Sequence, residues 1–496
     1  MDPVEMLLLR HVAAGQGGRT ALADHLRTLT YAELTQAACE HAGALAAAGV
    51  RRGCRALVVG DDSADTVVAV LGLWWYGCVP VVLSPMLRDT EIAFVARDCA
   101  AEYAWIALPK GRRDSLREAL GPLPVHEPRA TRAADVGPPA PFVPEAEVLV
   151  QYTSGSTGQP RGVRHSMAGL RAVLDGFGGV LALTPDDTVL STAKLSFGYG
   201  FGNSVLFPLA AGARSVLLAG PVDPYTVITA VHRHRPTVLC AVPRLYAALL
   251  DIVARGTVLD PSSLRLALAA GEHLPAELSA RAARLLGVPV VNGLGATEVL
   301  HIVLATDPQD ILHGSTGHPV PGVTATVRDD DGRPLPAGSH GRLHIRSASA
   351  ALGYIDRPED SARTFADGGV YTGDIAYRTE DGDFRHVCRA DDLLNLGGFK
   401  VAPAEIEAEL RTADGIADLV VVGGRDDTGL EQVVVHAVPA DGVTPDQARR
   451  ALRRAIRENL PPYKRPSRVE VLAALPTTST GKLARYQLRG PAREPR

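Results

Sequence analysis

Thr153, Ser154, Ser156 and Thr157 alternate with Gly155 and Gly158 directly after a short apolar run at residues 148–152. Glycines let consecutive backbone N–H groups converge and the hydroxyls add donors, so the segment is suited to hold an anion. Arg161 and Arg164 come next and would match a polyphosphate. The Gly-x-x-x-x-Gly-Lys-Ser/Thr spacing of the common nucleotide-triphosphate loop is absent. A plain Ser/Gly linker is the competing reading of this stretch alone.

Other chemistry-bearing residues also stand at the ends of apolar runs. The run 264–270 ends in Gly271-Glu272, and 288–292 ends in Gly293-Leu-Gly-Ala-Thr-Glu298. Between Lys194 and Asn203 aromatics alternate with glycines, a pattern that fits a ligand wall or a tight turn between core rings. Further on stand Tyr371-Thr-Gly-Asp374, Arg389 with Asp391, the pair Gly397-Gly398, and Lys482 behind a hydroxyl-rich loop. A lone lysine in such a place is ordinarily a solvated charge.

The elements that must position these residues read as alternating strands (55–60, 79–83, 237–242, 264–270) and helices (29–48, 63–76). That alternation predicts a mostly parallel sheet with helices on its faces. Ligands collect outside the carboxyl ends of such strands, so the polar strand ends imply one shared site. The loop at 152–165 is expected to run from a strand into a helix starting at Ser166. Residues 121–144, rich in proline and arginine, read as a surface connection, and from Gly314 short strands with turn signals predict a small β subdomain. A helix at 404–410, strands at 419–422 and 432–438 and a helix at 445–459 form a last α+β module. The division predicted is residues 1–390 and 391–496.

The chain has 496 residues, 46% hydrophobic and 21% charged, enough for several folded domains. A net charge of -4 gives no electrostatic reason to expect nucleic acid or an anionic membrane as partner. The scattered cysteines form no Cys-x-x-Cys pair, no apolar run reaches about 18 residues, and the N-terminus lacks a basic secretory start, so a cytoplasmic protein is expected.

In this order the motifs resemble those of the adenylate-forming superfamily of acyl-CoA synthetases, peptide-synthetase adenylation domains and luciferases. The segments 194–203 and 295–302 are similar to those of the aryl-acid group typified by benzoate-CoA ligases. The resemblance implies a large N-terminal domain of layered α/β subdomains with a small β subdomain, and a small mobile α+β C-terminal domain. It implies that Thr153, Ser154, Gly155, Ser156, Thr157, Gly158 and Arg161 hold ATP phosphates. Gly271, Glu272, Asn292, Gly293, Leu294, Gly295 and Thr297 would border the nucleotide, and Asp374 and Arg389 would grip its ribose. Glu298 and Thr157 would bind Mg²⁺, with Lys482 as the catalytic lysine, Asp391 as the hinge, and Gly397 and Gly398 along the thiol channel. Phe197, Gly198, Tyr199, Gly200, Ala270, Gly295 and His301 would line the acyl pocket. Arg161 departs from the lysine usual in the family loop, keeping the charge in a bulkier group.

The reaction implied joins a small-molecule carboxylic acid, expected to be aromatic, to AMP with release of pyrophosphate, then transfers the acyl group to coenzyme A. A phosphopantetheine carrier protein acting in trans is the alternative acceptor. A non-catalytic nucleotide-binding regulator is the rival of another class, and retention of Glu298, Asp374, Arg389 and Lys482 argues against it. Monomer and homodimer both stay open.

Overall fold

The helix Ala64–Tyr76 is buried on nearly every side, from Val67 and Val70 to Leu73, Trp74 and Trp75. A helix apolar all round has to lie inside a protein. The Ser63 hydroxyl accepts from Thr66 N–H at its start, and Gly77 ends it at φ 88°, a left-handed cap that glycine adopts without strain. The Trp74 indole donates to the Val148 carbonyl at 2.6 Å, and its ring meets Phe201 edge-on at 5.9 Å.

These contacts seat the helix against the strand that carries Val148 and beside Phe201 in this computed structural model, which describes residues 2–126, 136–154, 160–396, 399–411, 413–425, 431–476 and 483–489. The chain divides into two compact units. One comprises residues 1–328, 344–372 and 378–385, the other residues 329–343, 373–377 and 386–496.

In the first unit a six-stranded sheet runs in the order Val125–His126, Tyr103–Ala107, Arg55–Gly60, Val79–Leu83, Glu147–Ser154, Pro160–Ser166. A nine-stranded sheet includes Thr188–Ser191, Val238–Ala241, Leu266–Ala270 and Val290–Gly295 as parallel neighbours. Ile302–Ala305 then pairs antiparallel with Val290–Gly295. One apolar core joins Ala56, Val58 and Val82 of the first sheet to Val189, Cys240 and Leu268 of the second. Parallel strands covered on both faces explain the near-continuous apolar runs.

The expected strands at 55–60 and 79–83 are present in full, and those at 237–242, 264–270 and 288–292 lie within a few residues of prediction. Two differences stand out. Val125–His126, inside the expected irregular connection, adds an edge strand beside Tyr103–Ala107. The loop at 152–165 joins two strands and not a strand and a helix: Pro160–Ser166 folds back antiparallel on Glu147–Ser154 before Ser166 caps the helix Met167–Asp175. Short strands lie further along at Val323–Arg328, Gly341–Ser347, Val370–Arg378 and Phe384–Arg389.

In the second unit Ile416–Arg425, Glu431–Pro439 and Arg468–Val471 form a sheet, packed through Leu419, Val421, Val433 and Val435 against Ile406 and Leu410 of one helix and Leu452 of another. Thr444 and Gln447 close a capping box on the helix Pro445–Asn459. Among the described residues no helix is long and apolar enough to cross a membrane.

Candidate functional site

Parallel pairing brings the polar strand ends together in the first unit. Ala270 is opposite Gly293, so Gly271 and Glu272 leave the sheet beside the stretch that continues to Glu298. Glu272 is held by Arg244, whose Nε lies 3.6 Å from Oε1 and whose backbone N–H donates to Oε2 at 3.3 Å. Asn292 is anchored at both ends: its N–H donates to Thr306 Oγ1 at 2.9 Å and its Nδ2 to the Ser315 carbonyl at 2.6 Å. Gly295 and Thr297 remain at least partly open to solvent.

The hairpin sets Thr153 opposite Arg161 and Ser154 opposite Pro160. Gly155, Ser156, Thr157 and Gly158 lie outside the described residues, and Ser154 is described in its backbone alone. Arg161 points its Nε at Asp360 Oδ2, 3.4 Å away, and its guanidinium lies 5.7 Å above the Tyr354 ring. The segment around Tyr354 is laced to the hairpin by a bridge from Val163 to Tyr354 and by Ile355 N–H donating to the Gly162 carbonyl at 2.9 Å. A side chain at Gly162 would put its Cβ 2.8 Å from Ile355 Cδ1 and 2.9 Å from the Tyr152 ring, so those two side chains would have to shift to admit it.

Glu298 sits on a single turn, Thr297–Val299. The Tyr354 hydroxyl donates to its Oε1 at 2.6 Å, and Ala351 N–H donates to its backbone carbonyl at 2.9 Å. Burial pushes the Tyr354 phenol well above its usual range, which keeps it a donor. No group of three or more His, Cys, Asp or Glu side chains gathers as a ready-made metal site among the described residues. A magnesium ion fits Glu298 nonetheless: such ions are held by one or two carboxylates with substrate phosphates supplying the rest, and a carboxylate has acceptor capacity beyond one hydrogen bond.

The aromatic and glycine stretch 194–203 is pinned from the strand end after Arg55–Gly60. Lys194 Nζ lies 3.3 Å from Asp61 Oδ1 and donates to the Leu218 carbonyl at 2.6 Å, while Leu195 N–H donates to Asp62 at 3.1 Å. Burial raises the Asp62 carboxyl to about 7. The Tyr199 hydroxyl is within 3.2 Å of the Ala241 carbonyl and 3.1 Å of the Leu268 carbonyl, tying the stretch to two central strands. Ala270 is buried in the same sheet.

His301 is stacked on Phe177 at 5.3 Å, meets Phe207 edge-on at 4.7 Å, and has Nε2 3.4 Å from the Tyr199 carbonyl. Burial pulls its imidazole down to about 3, so the ring is neutral. Phe197 precedes a helical turn at Gly198–Phe201, which includes Gly200.

In the second unit Asp374 accepts from Arg389 Nη1 at 3.3 Å and faces His386 Nε2 at 3.2 Å. Asp391 is exposed on the turn Ala390–Asp392. Gly397, Gly398 and Lys482 lie outside the described residues. Sequence reasoning does not single out Tyr354, Asp360 or Gln151. For Gln151 a signal exists, a lone polar residue within the apolar run 148–152.

Strand-end glycines, a carboxylate beside them and a hydroxyl-rich hairpin loop define a nucleotide-handling α/β enzyme. Residues 9–355 match the family model of AMP-binding enzymes and residues 405–482 that of the AMP-binding enzyme C-terminal domain, and the chain belongs to this family. It is 32% identical, over 97% of its length and 94% of the relative's, to the benzoate–CoA ligase of Thauera aromatica. Identity is also 32% to the 4-hydroxybenzoate–CoA/benzoate–CoA ligase of Rhodopseudomonas palustris, over 97% of this chain and 92% of that one. It superposes with a TM-score of 0.90 and 30% identity on the crystal structure of an anthranilate CoA ligase in complex with anthranoyl-AMP, covering 98% of this chain and 96% of that one.

Proposed function

We propose that this protein activates an aromatic carboxylic acid with ATP, forming an acyl-adenylate and pyrophosphate, and then transfers the acyl group to coenzyme A. The observation that carries this reading is the stretch Gly295 to His301. It leads from the nucleotide-side strand end through Glu298 to a histidine packed on the Tyr199 segment, so metal-binding and acid-binding candidates share one short piece of chain.

In the first step a carboxylate oxygen attacks the α-phosphorus and pyrophosphate leaves. An anion approaches an anionic centre, so charge neutralisation and alignment are the main requirements. Magnesium at Glu298 and Thr157 would supply part of that neutralisation. Donors of Thr153, Ser154, Gly155, Ser156, Thr157 and Gly158, with Arg161, would supply more, and Lys482 would meet the α-phosphate and the acid's carboxylate. Gly271, Glu272, Asn292, Gly293, Leu294, Gly295 and Thr297 would border the nucleotide.

Asp374, already an acceptor for Arg389, is suited to take hydrogen bonds from ribose hydroxyls. Phe197, Gly198, Tyr199, Gly200, Ala270 and His301 would enclose the acid. In the second step a thiol attacks the acyl carbonyl and AMP leaves. We assign that step to a C-terminal domain of residues 391–496, turning at Asp391 so that Gly397 and Gly398 border the pantetheine.

Exchange of labelled pyrophosphate into ATP tests the first step. Exchange that requires both an aromatic acid and magnesium is the expected result; absence of exchange with every acid tried would overturn the reading.

A further inference from the structure

Gln151 lies on the strand Glu147–Ser154 between Val150 and Tyr152. Those two neighbours pack with Ile92 and Val95 on one face of the sheet. Strand alternation therefore turns Gln151 to the opposite face, the face of Leu149, whose core also contains Leu195, Phe201, Leu300 and Ile302. Gln151 is 2% exposed, and its carboxamide oxygen has no hydrogen-bond partner among the described residues. A buried acceptor left in this state is destabilising, and its retention calls for an explanation.

The oxygen faces the acid-binding wall. A Cβ built on Gly198 would lie 3.1 Å from Gln151 Oε1 and would collide with the Leu300 carbonyl oxygen. Leu300 holds φ at 69°, a left-handed value that is strained for a leucine, and His301 N–H donates to the Val299 carbonyl at 2.9 Å, closing a tight three-residue turn. That turn brings the Leu300 oxygen to the Gly198 backbone, beside Gln151.

A further acceptor stands in the same stretch. When His301 Nε2–H is directed at the Tyr199 carbonyl, the neutral ring leaves Nδ1 as a lone pair, and Nδ1 has no partner among the described residues. Ser196 Oγ and both amide atoms of Asn203, at 9% and 1% exposure, also lack partners among the described residues.

We propose that Gln151 is a specificity-determining residue whose carboxamide oxygen accepts a hydrogen bond from an amino or hydroxyl substituent on the ring of the acid. This rests on the aromatic-acid function proposed above. Gln151 Oε1 and His301 Nδ1, two acceptors without donors, are poorly matched to an unsubstituted benzoate ring, whose edge has only C–H groups, and well matched to an aminobenzoate or hydroxybenzoate.

The test is kcat/KM for pyrophosphate release with benzoate and with the 2-, 3- and 4-amino and hydroxy acids. It is run in the wild type, in Gln151→Leu and in the straight-chain variant Gln151→Met, with melting curves to verify folding. The wild type is expected to favour at least one donor-bearing acid over benzoate by about tenfold or more, and both variants to lose about tenfold of that ratio. Melting temperatures of the variants should equal or exceed the wild type, since an unpaired buried acceptor has been removed. Benzoate turned over as well as every substituted acid, or a ratio unchanged in both folded variants, would overturn this inference alone. Turnover of no aromatic acid would overturn the function itself.

Discussion

The Tyr354 hydroxyl lies 2.6 Å from Glu298 Oε1, across 56 positions of sequence. The phenol fixes one oxygen of the carboxylate proposed to bind magnesium, and the same ring lies under the Arg161 guanidinium. Tyr354 thus joins the departure from the family loop to the metal-binding candidate. Tyr354→Phe keeps the packing and removes the donor. A hydrogen bond to a charged group contributes roughly 1.5–3 kcal/mol, so adenylation should slow by about tenfold or more, with half-saturation moving to higher magnesium. Pyrophosphate release titrated against magnesium measures this.

Arg161 and Asp360 face each other at 3.4 Å with both side chains mostly buried. If they act as one unit holding the hairpin to the Tyr354 segment, Arg161→Ala and Asp360→Asn should each slow adenylation by about tenfold, and the double variant should be no slower than the worse single one. Paired groups are non-additive in this way. Multiplied losses in the double variant would show that they act separately.

His165 and His301 are both buried, and burial pulls each imidazole down to about 3. Unfolding frees them to take up protons near 6.5, so the unfolded state binds more protons at every pH between about 6.5 and 3. Their contribution to stability is full above 6.5 and is lost as pH falls through that window, by up to about 1.4 kcal/mol per pH unit for each group. Urea midpoints between pH 7 and pH 5 should therefore decline, and His165→Leu should flatten the decline. An unchanged slope would show that His165 is protonated in the folded state.

Lys482→Ala should cripple formation of the acyl-adenylate yet leave thioester formation from a supplied acyl-adenylate within a few-fold of wild type. Stopped-time assays of each half-reaction separate the two. Equal loss in both would contradict a lysine that serves the first step only.

Features governed by local rules are legible in the sequence. The parallel strands announce themselves as apolar runs, and their polar endings at Gly271-Glu272 and Gly293 to Glu298 do converge, because Ala270 pairs with Gly293. The second hairpin strand is hidden, since Pro160, Arg161, Gly162, Arg164 and His165 show neither β-branched character nor clean alternation; backbone pairing and ion pairs hold that strand. Tyr354 and Asp360 acquire their roles through partners far away in sequence, which no spacing reveals. The resemblance of residues 295–302 to the aryl-acid group implies an acyl-pocket place for His301, and its enclosure by Phe177 and Phe207 emerges only from the packing.

AMP release from ATP and magnesium is the decisive measurement, made across a panel of benzoic, aminobenzoic and hydroxybenzoic acids, with and without coenzyme A, with the product mass determined. The proposed function predicts AMP release that requires an aromatic acid, rises with coenzyme A, and yields the corresponding aryl-CoA. Pyrophosphate release indifferent to coenzyme A, with no thioester formed, would contradict it and direct the acyl group to another acceptor.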